Sequence, residues 1–481
     1  MLSLKHQTIS GIKWLVGSSF LQKAIQTGAT IFLARILGPA DFGLFALAFV
    51  AIDALGLFKS MGFDSALIQR KDNMEKAANT AFIIIPVLGI ILYFILAVFA
   101  PLIGKFLNNA QIPGVIRALG IIFIISCFGK VPAALLEKNM QFKRVAIIEI
   151  GTAIIYSVSA VTFALLKFGV WSLVYAYILK TIYQNTLTFI YAKWRPKLEF
   201  DIKIAKEMFN FGKFLFLGGL VFFLKMNLDN ILVGKLLGVT ALGLYAIAFN
   251  VANFGADYFG AKVFRVVFPA YSKLQNDVYD LKMATLKTLK YVSIISLPLG
   301  IGIFFLSKEI LNLIYGEKWL AASGVLKILA WAGIFNSLFS AISAIFPSCG
   351  KSKLVFWIIA LQVGVFLLIV TPLARFFGMN GVGFAVSFTG LVTLIITLYW
   401  ATKLIYISVN DIYLSLKPAF ISSIIMAMII VFFKFIVKNF LPLVSFYYYV
   451  PVVVFSVFIY AAALFFIERP IIQEIRELII S

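Results

Sequence analysis

Long uninterrupted apolar runs, among them Ala81–Pro101 and Val450–Ile467, recur from one end of this sequence to the other. A helix that crosses the hydrocarbon core of a bilayer needs ~20 mostly apolar residues, and these runs approach or reach that length. Backbone amides in lipid are satisfied either within a helix or in a closed barrel. Barrel strands alternate polar and apolar residues over about ten positions, and these runs do not alternate. The chain therefore reads as an all-α polytopic membrane protein. Composition agrees, because 62% of the residues are hydrophobic and 13% charged, against about 45–50% and about 25% in soluble domains.

Reading the runs between polar punctuation gives about fourteen spans, near 11–34, 41–62, 78–104, 114–136, 145–167, 170–192, 209–235, 241–263, 288–307, 321–346, 354–374, 380–401, 417–437 and 445–467. Loops after the even-numbered spans carry most of the basic residues, among them Arg70, Lys76, Lys138, Arg144, Arg195, Lys203, Lys282 and Lys351. The alternate loops carry few, such as Lys105, Lys308 and Arg375. The positive-inside rule then places both termini in the cytoplasm and the chain in the cell inner membrane. Contact with anionic headgroups accounts for the net charge of +22 without nucleic acid. Two cysteines, Cys127 and Cys349, and a single histidine, His6, leave no basis for a disulfide framework or a zinc site. No cofactor is expected. The first apolar stretch is long and holds Lys23 near its middle, so it reads as a span rather than a cleaved signal.

The most basic linker, 191–207, divides the chain into halves that resemble each other. At an offset of 200, Leu37, Gly38, Gly43, Leu44, Ala46, Ala48 and Phe49 match Leu237, Gly238, Gly243, Leu244, Ala246, Ala248 and Phe249, and Asp53 falls over Asn253. An offset of 210 lays Arg117 over Lys327. The expected organisation is a six-helix lobe over 1–192, a basic cytoplasmic linker over 193–208 and a second six-helix lobe over 209–401. Two further helices and a cytoplasmic tail occupy 402–481. An even number of spans before the repeat restarts gives the lobes a common orientation. That predicts a pseudo-two-fold axis along the membrane normal, with a site near the midplane.

Charged groups at membrane depth are costly and usually face a cavity or a partner. Span one carries Ser18, Gln22, Gln26 and Thr30 at four-residue steps, with Ser19, Lys23 and Thr27 beside them. Residues four apart share a helix face, so this is a polar stripe centred on a cation. Span two presents Asp53, Gly56 and Ser60 on one face with Lys59 close by, and span five presents Glu149, Thr152, Tyr156 and Ser159. Span seven holds Lys225, Asn227, Asp229 and Asn230, and span eight holds Asn250, Asn253, Asp257 and Gly260. Plainer readings stand beside these. Lys225 and Asp229 are spaced to neutralise each other, Lys59 fits a snorkelling lysine, and Glu149 and Asp257 fit hydrogen-bonded packing groups.

Ala133–Lys143 (AALLEKNMQFK), Val145–Ile150 (VAIIEI), Phe168–Val174 (FGVWSLV), Arg35–Gly43 (RILGPADFG) and Ala66–Gln69 (ALIQ) carry a family likeness. With them the chain resembles the polysaccharide transporter branch, the Wzx-type oligosaccharide flippases, of the multidrug/oligosaccharidyl-lipid/polysaccharide flippase superfamily. Within that branch it is most similar to the group of colanic acid and teichuronic acid exporters. The resemblance implies two six-helix lobes plus two C-terminal helices around a cationic central cavity. It also implies transfer of a polyprenyl-pyrophosphate-linked oligosaccharide from the inner to the outer leaflet by alternating access, in the setting of polysaccharide polymerase machinery.

Lys23, Arg117, Lys225 and Lys327 are the candidate cations for phosphate or acidic sugar. Asp53, Glu149, Asp229 and Asp257 are candidates for ion coupling, and Gln22, Gln26, Asn250 and Asn253 for polar cavity lining. Two other classes compete. A multidrug or metabolite antiporter of the same superfamily would rely on acidic intramembrane groups such as Asp229. A membrane glycan polymerase or ligase would need a sizeable extracytoplasmic loop, and the longest here runs only from about Lys308 to Leu320. A transporter without enzymatic chemistry fits best.

Overall fold

Every regular element among the described residues is helical. The structure, a computed structural model, describes residues 2–59, 61–70, 72–256, 261–440 and 449–468, leaving aside the side chains of 2–13, 15–16, 211–219, 221–222, 261–262, 265–266, 437–440 and 449–450. The helices are α1 (Leu2–Ile36), α2 (Pro39–Gly56), α3 (Phe63–Gln69), α4 (Met74–Phe106), α5 (Ile112–Phe128), α6 (Lys130–Lys138), α7 (Phe142–Leu165), α8 (Val170–Ala192) and α9 (Ile202–Leu237). They continue with α10 (Val239–Ala252), α11 (Ala261–Leu274), α12 (Val278–Ile310), α13 (Ser323–Ser343), α14 (Ile345–Ser348), α15 (Ser352–Ile405), α16 (Val409–Phe440) and α17 (Tyr449–Ile467).

Among the described residues seven helices are long and apolar enough to cross a bilayer, or eight with α5 and α6 taken as one span bent by 46°. α15, at 54 residues, holds two spans. It reverses at Gly378, whose φ of 57° is open to glycine but strained for other residues. Beyond the turn, a Cβ on Gly381 would fall on the carbonyl oxygen of Leu373, so the two arms lie against each other. α1, α8 and α9 are also long enough. The 23 residues of α8 rise about 35 Å, against a hydrocarbon core of ~30 Å. With the shorter apolar helices α10 and α17, the molecule is an all-α polytopic membrane protein of about fourteen transmembrane helices. Its apolar outer surface follows from that setting: Val98 is 70% and Phe376 81% exposed, a cost in water and none in lipid.

The chain forms two compact units, Met1–Gly243 and Leu244–Ser481. In the first, α1 packs along α7, α7 on α8, and α4 on α5, while α2 touches α5, α8 and α9. In the second, α12 packs on α13 and α16, α13 on α15, and α16 on α17. The motif around Pro39 acts as a stop and restart. Gly38 breaks α1 from α2, Pro39 opens α2, and Asp41 Oδ2 accepts the Gly38 N–H at 3.0 Å.

The matched glycines of the repeat have a steric reason inside the first unit. A Cβ on Gly43 would strike the carbonyl of Val239, and one on Gly243 would strike the carbonyl of Pro39. The two helices cross there by the same residues in reciprocal roles. The turn between α7 and α8 is likewise repeated, since Gly169 (φ 58°, ψ −135°) has the backbone conformation of Gly378 (φ 57°, ψ −137°).

Candidate functional site

A cavity of about 560 Å³ lies among α2, α5, α8 and α9 in the first unit. Apolar side chains such as Phe49, Ile52 and Phe123 form much of its wall, and Asp53, Lys59, Tyr177 and Asn227 bring polar atoms to it. Asp53 is three residues from the end of α2. Hydrogen-bonded turns follow at once, with Phe58 N–H donating to Leu55 O at 3.0 Å and Lys59 N–H to Gly56 O at 3.1 Å. These turns return Lys59 to the pocket that Asp53 lines, so groups of opposite charge face one open cleft.

Aromatic rings form one wall. Phe49 meets Tyr177 edge-on at 5.0 Å, and Tyr156 of α7 meets it at 6.3 Å. Lys180, one turn further along α8, holds its ammonium 4.4 Å from the Tyr177 ring centre and 5.8 Å from that of Tyr156. A cation over a ring face is stabilised by about 0.5–2 kcal/mol, more as it is desolvated. This arrangement places a positive charge against the aromatic wall.

The polar stripe of α1 runs along α7. Ser18 is buried and donates to Glu149 Oε2 at 3.2 Å; Gln22 and Gln26 are half-buried and Lys23 is exposed. On α9, Lys225 is half-buried next to the cavity residues Met226 and Asn227, and Asp229 is buried, its Oδ1 accepting the Asn230 N–H at 2.9 Å. Arg117 is exposed on α5 and its Nε donates to Ala97 O of α4 at 3.2 Å.

In the second unit Lys327 is half-buried on α13 and Asn250 is exposed on α10. Asn253 is buried where α10 breaks, with its Oδ1 accepting from Asn336 Nδ2 and its Nδ2 donating to Phe249 O, both at 3.1 Å. Ser60, Asp257 and Gly260 lie outside the described residues. The second unit also has a cavity of about 720 Å³ among α12, α13 and α16, walled by Phe305, Trp331, Phe420, Met428 and Phe432.

Residues 32–324 match the family model described as polysaccharide biosynthesis protein. The chain belongs to that family. It is 28% identical over 365 residues to the teichuronic acid biosynthesis protein TuaB of Bacillus subtilis strain 168, covering 74% of each chain. It is 28% identical over 350 residues to the lipopolysaccharide biosynthesis protein WzxC of Escherichia coli K12, covering 72% of this chain and 70% of that one. Among solved structures it is similar to the lipid II flippase MurJ in an inward closed conformation. The TM-score there is 0.78 at 16% identity, over 96% of this chain and 100% of the other.

Lys180, against the Tyr177 ring of the cavity wall, is a candidate absent from the residues singled out in the sequence. Its signal was present: a lysine near the middle of the sixth span, three residues after Tyr177 and four before Gln184. Lys59, for which snorkelling is the plainer expectation, is half-buried on the cavity wall.

Proposed function

We propose that this protein is an exporter that moves a polyprenyl-pyrophosphate-linked oligosaccharide from the inner to the outer leaflet by alternating access, for cell-surface polysaccharide synthesis. The observation that carries this is the cavity of the first unit, where Asp53, Lys59 and the Lys180–Tyr177 pair place charge among helices otherwise built for lipid. Such groups at membrane depth mark substrate pathways. A pyrophosphate with sugars cannot cross hydrocarbon unaided, while its polyprenyl tail can remain in lipid. Aromatic faces suit the apolar faces of sugar rings, and ammonium groups suit phosphate.

In this reading Lys23, Arg117, Lys225 and Lys327, joined by Lys59 and Lys180, meet phosphate or acidic sugar. Asp53, Glu149, Asp229 and Asp257 couple transport to an ion gradient, and Gln22, Gln26, Asn250 and Asn253 supply polar contacts. The termini and the basic linker face the cytoplasm, the lobes are 1–192 and 209–401, and the polysaccharide polymerase machinery receives the product. No catalytic residue is assigned. A substrate drives the change only through unequal affinity for the two access states.

The test is deletion in a strain that makes the polysaccharide. The completed repeat unit should accumulate on its polyprenyl carrier, facing the cytoplasm. Unchanged carrier-linked pools together with altered drug tolerance would replace this reading with the antiporter.

A further inference from the structure

The segment that joins α8 to α9, residues 193–201, is not helical, and its alternate residues do opposite things. Lys197 N–H donates to Asn79 Oδ1 at 3.0 Å, Asn79 Nδ2 donates to Glu199 Oε2 at 3.2 Å, and Asp201 N–H donates to Thr80 Oγ1 at 3.1 Å. Asn79 and Thr80 are fully buried in α4, so these bonds fix the segment in one register. Ion pairs add to the hold, Lys197 to Glu75 at 2.7 Å and Arg70 to Glu207 at 2.9 Å. The intervening residues project away from α4. Leu198 is 92%, Phe200 54% and Ile202 56% exposed. Arg195, Lys203 and Lys206 beside them are exposed as well.

The level of this row in the molecule gives its meaning. Asn79 and Thr80 immediately precede the apolar run Ala81–Pro101 of α4, so they stand where that span leaves the hydrocarbon. A segment pinned to them lies at headgroup depth. Large apolar groups held there, rimmed by cations, have the pattern of an interfacial anchor.

We propose that Leu198, Phe200 and Ile202 insert into the headgroup–acyl boundary of the leaflet at which α4 begins, and that Arg195, Lys203 and Lys206 bind anionic lipid headgroups there. The choice of an anionic, cytoplasmic leaflet rests on the orientation proposed above; the insertion itself does not. Charge complementarity and the depth of the row favour lipid over a soluble partner.

The experiment uses the full-length protein with Cys349→Ser, reconstituted in nanodiscs of phosphatidylcholine with or without phosphatidylglycerol. Nitroxide labels go singly at Leu198→Cys, Phe200→Cys and Ile202→Cys, with Asn276→Cys as an exposed control. Relative to the control, the three sites should favour collision with oxygen over a water-soluble nickel chelate. Equal nickel access at all four sites in both nanodiscs overturns the insertion. Protection that appears only in native membranes, and not in nanodiscs, overturns it in favour of a protein partner. In a second arm, Arg195→Gln/Lys203→Gln/Lys206→Gln should weaken retention of phosphatidylglycerol in native mass spectra by at least about tenfold, since each basic residue near an anionic surface contributes severalfold and the three multiply. Unchanged retention overturns the headgroup assignment. Neither arm measures export, so failure here leaves the exporter reading standing, and the deletion experiment can fail without touching this one.

Discussion

Each unit carries an open pocket of comparable size, about 560 Å³ in the first and about 720 Å³ in the second, and the two treat charge in opposite ways. In the first, Asp53 and Lys59 open onto the cavity and Lys180 leans on its aromatic wall. In the second the cavity wall is apolar, and the nearby charges neutralise each other. Lys434 Nζ of α16 lies 2.6 Å from Glu309 Oε1 of α12 and also donates to Phe305 O at 2.8 Å. Burying a charge is affordable only when it is paired or when a ligand exploits it. The comparison therefore separates charges that face an open pocket from charges paired within the packing, and under the proposed function the first set meets a ligand. Mutation should separate them too, into variants that lose transport and variants that lose stability.

The largest effect is expected in the second unit. Lys434→Met leaves the buried Glu309 carboxylate without its cation, which destabilises by about 3–5 kcal/mol. Glu309→Gln added to it should restore most of that loss, read as the thermal midpoint in detergent. A single variant with unchanged midpoint but reduced export would move this pair into the transport machinery and break the contrast. Next comes Lys59→Glu, which turns a mixed cavity acidic. Export per molecule should fall at least tenfold, roughly 1.4 kcal/mol or more in barrier, with membrane abundance unchanged by immunoblot. Full export at normal abundance would return Lys59 to the snorkelling role.

Lys180→Met should be milder, lowering export roughly three- to tenfold, in line with a cation–π contact of about 0.5–2 kcal/mol. Lys180→Arg should keep most of the activity, because an arginine also stacks on aromatic faces. Equal loss in both would point to packing rather than charge.

The smallest effect concerns Asp201, the N-cap of α9. The backbone N–H groups of Ile204 and Lys203 donate to its carboxylate at 3.2 and 2.8 Å, which holds its pKa below the ordinary value. A depressed folded pKa contributes stability above the unfolded pKa, and that contribution disappears as pH falls through the folded value. Acidification should therefore loosen the start of α9, read as lower protection factors, exchange corrected for the intrinsic rate at each pH, at Lys203 and Ile204. Asp201→Asn, which cannot titrate, should show a flat profile across the same range.

How much of this was legible beforehand can be judged from single residues. Asp53 and Glu149 stood out because a carboxylate in an apolar run is expensive wherever it sits, and the structure gives each a polar setting. Arg117 stood out for the same reason, yet it reaches the carbonyl of Ala97 on the neighbouring helix. Spacing locates a helix face and does not say which helix that face meets. Asn253 shows the same limit, since a polar step along α10 turned out to hold a side chain bridged to Asn336, 83 residues away. Lys180 follows Tyr177 by three residues on α8, a spacing the sequence does show, but that the ring of Tyr156 on α7 also stands under its ammonium and that Phe49 of α2 packs on Tyr177 are facts of tertiary packing.

The sequence by itself determined that this chain is helical, lies in a membrane and is built on a repeat. Lipid leaves the backbone no other partner than its own helix, and the matched glycines Gly43 and Gly243 occupy a crossing where no Cβ fits. Only the tertiary structure decided which intramembrane charges open onto a cavity and which are tied up in packing. That outcome depends on which helices become neighbours, and neighbours are chosen by side-chain fit between segments far apart in the chain, information that no single helix carries.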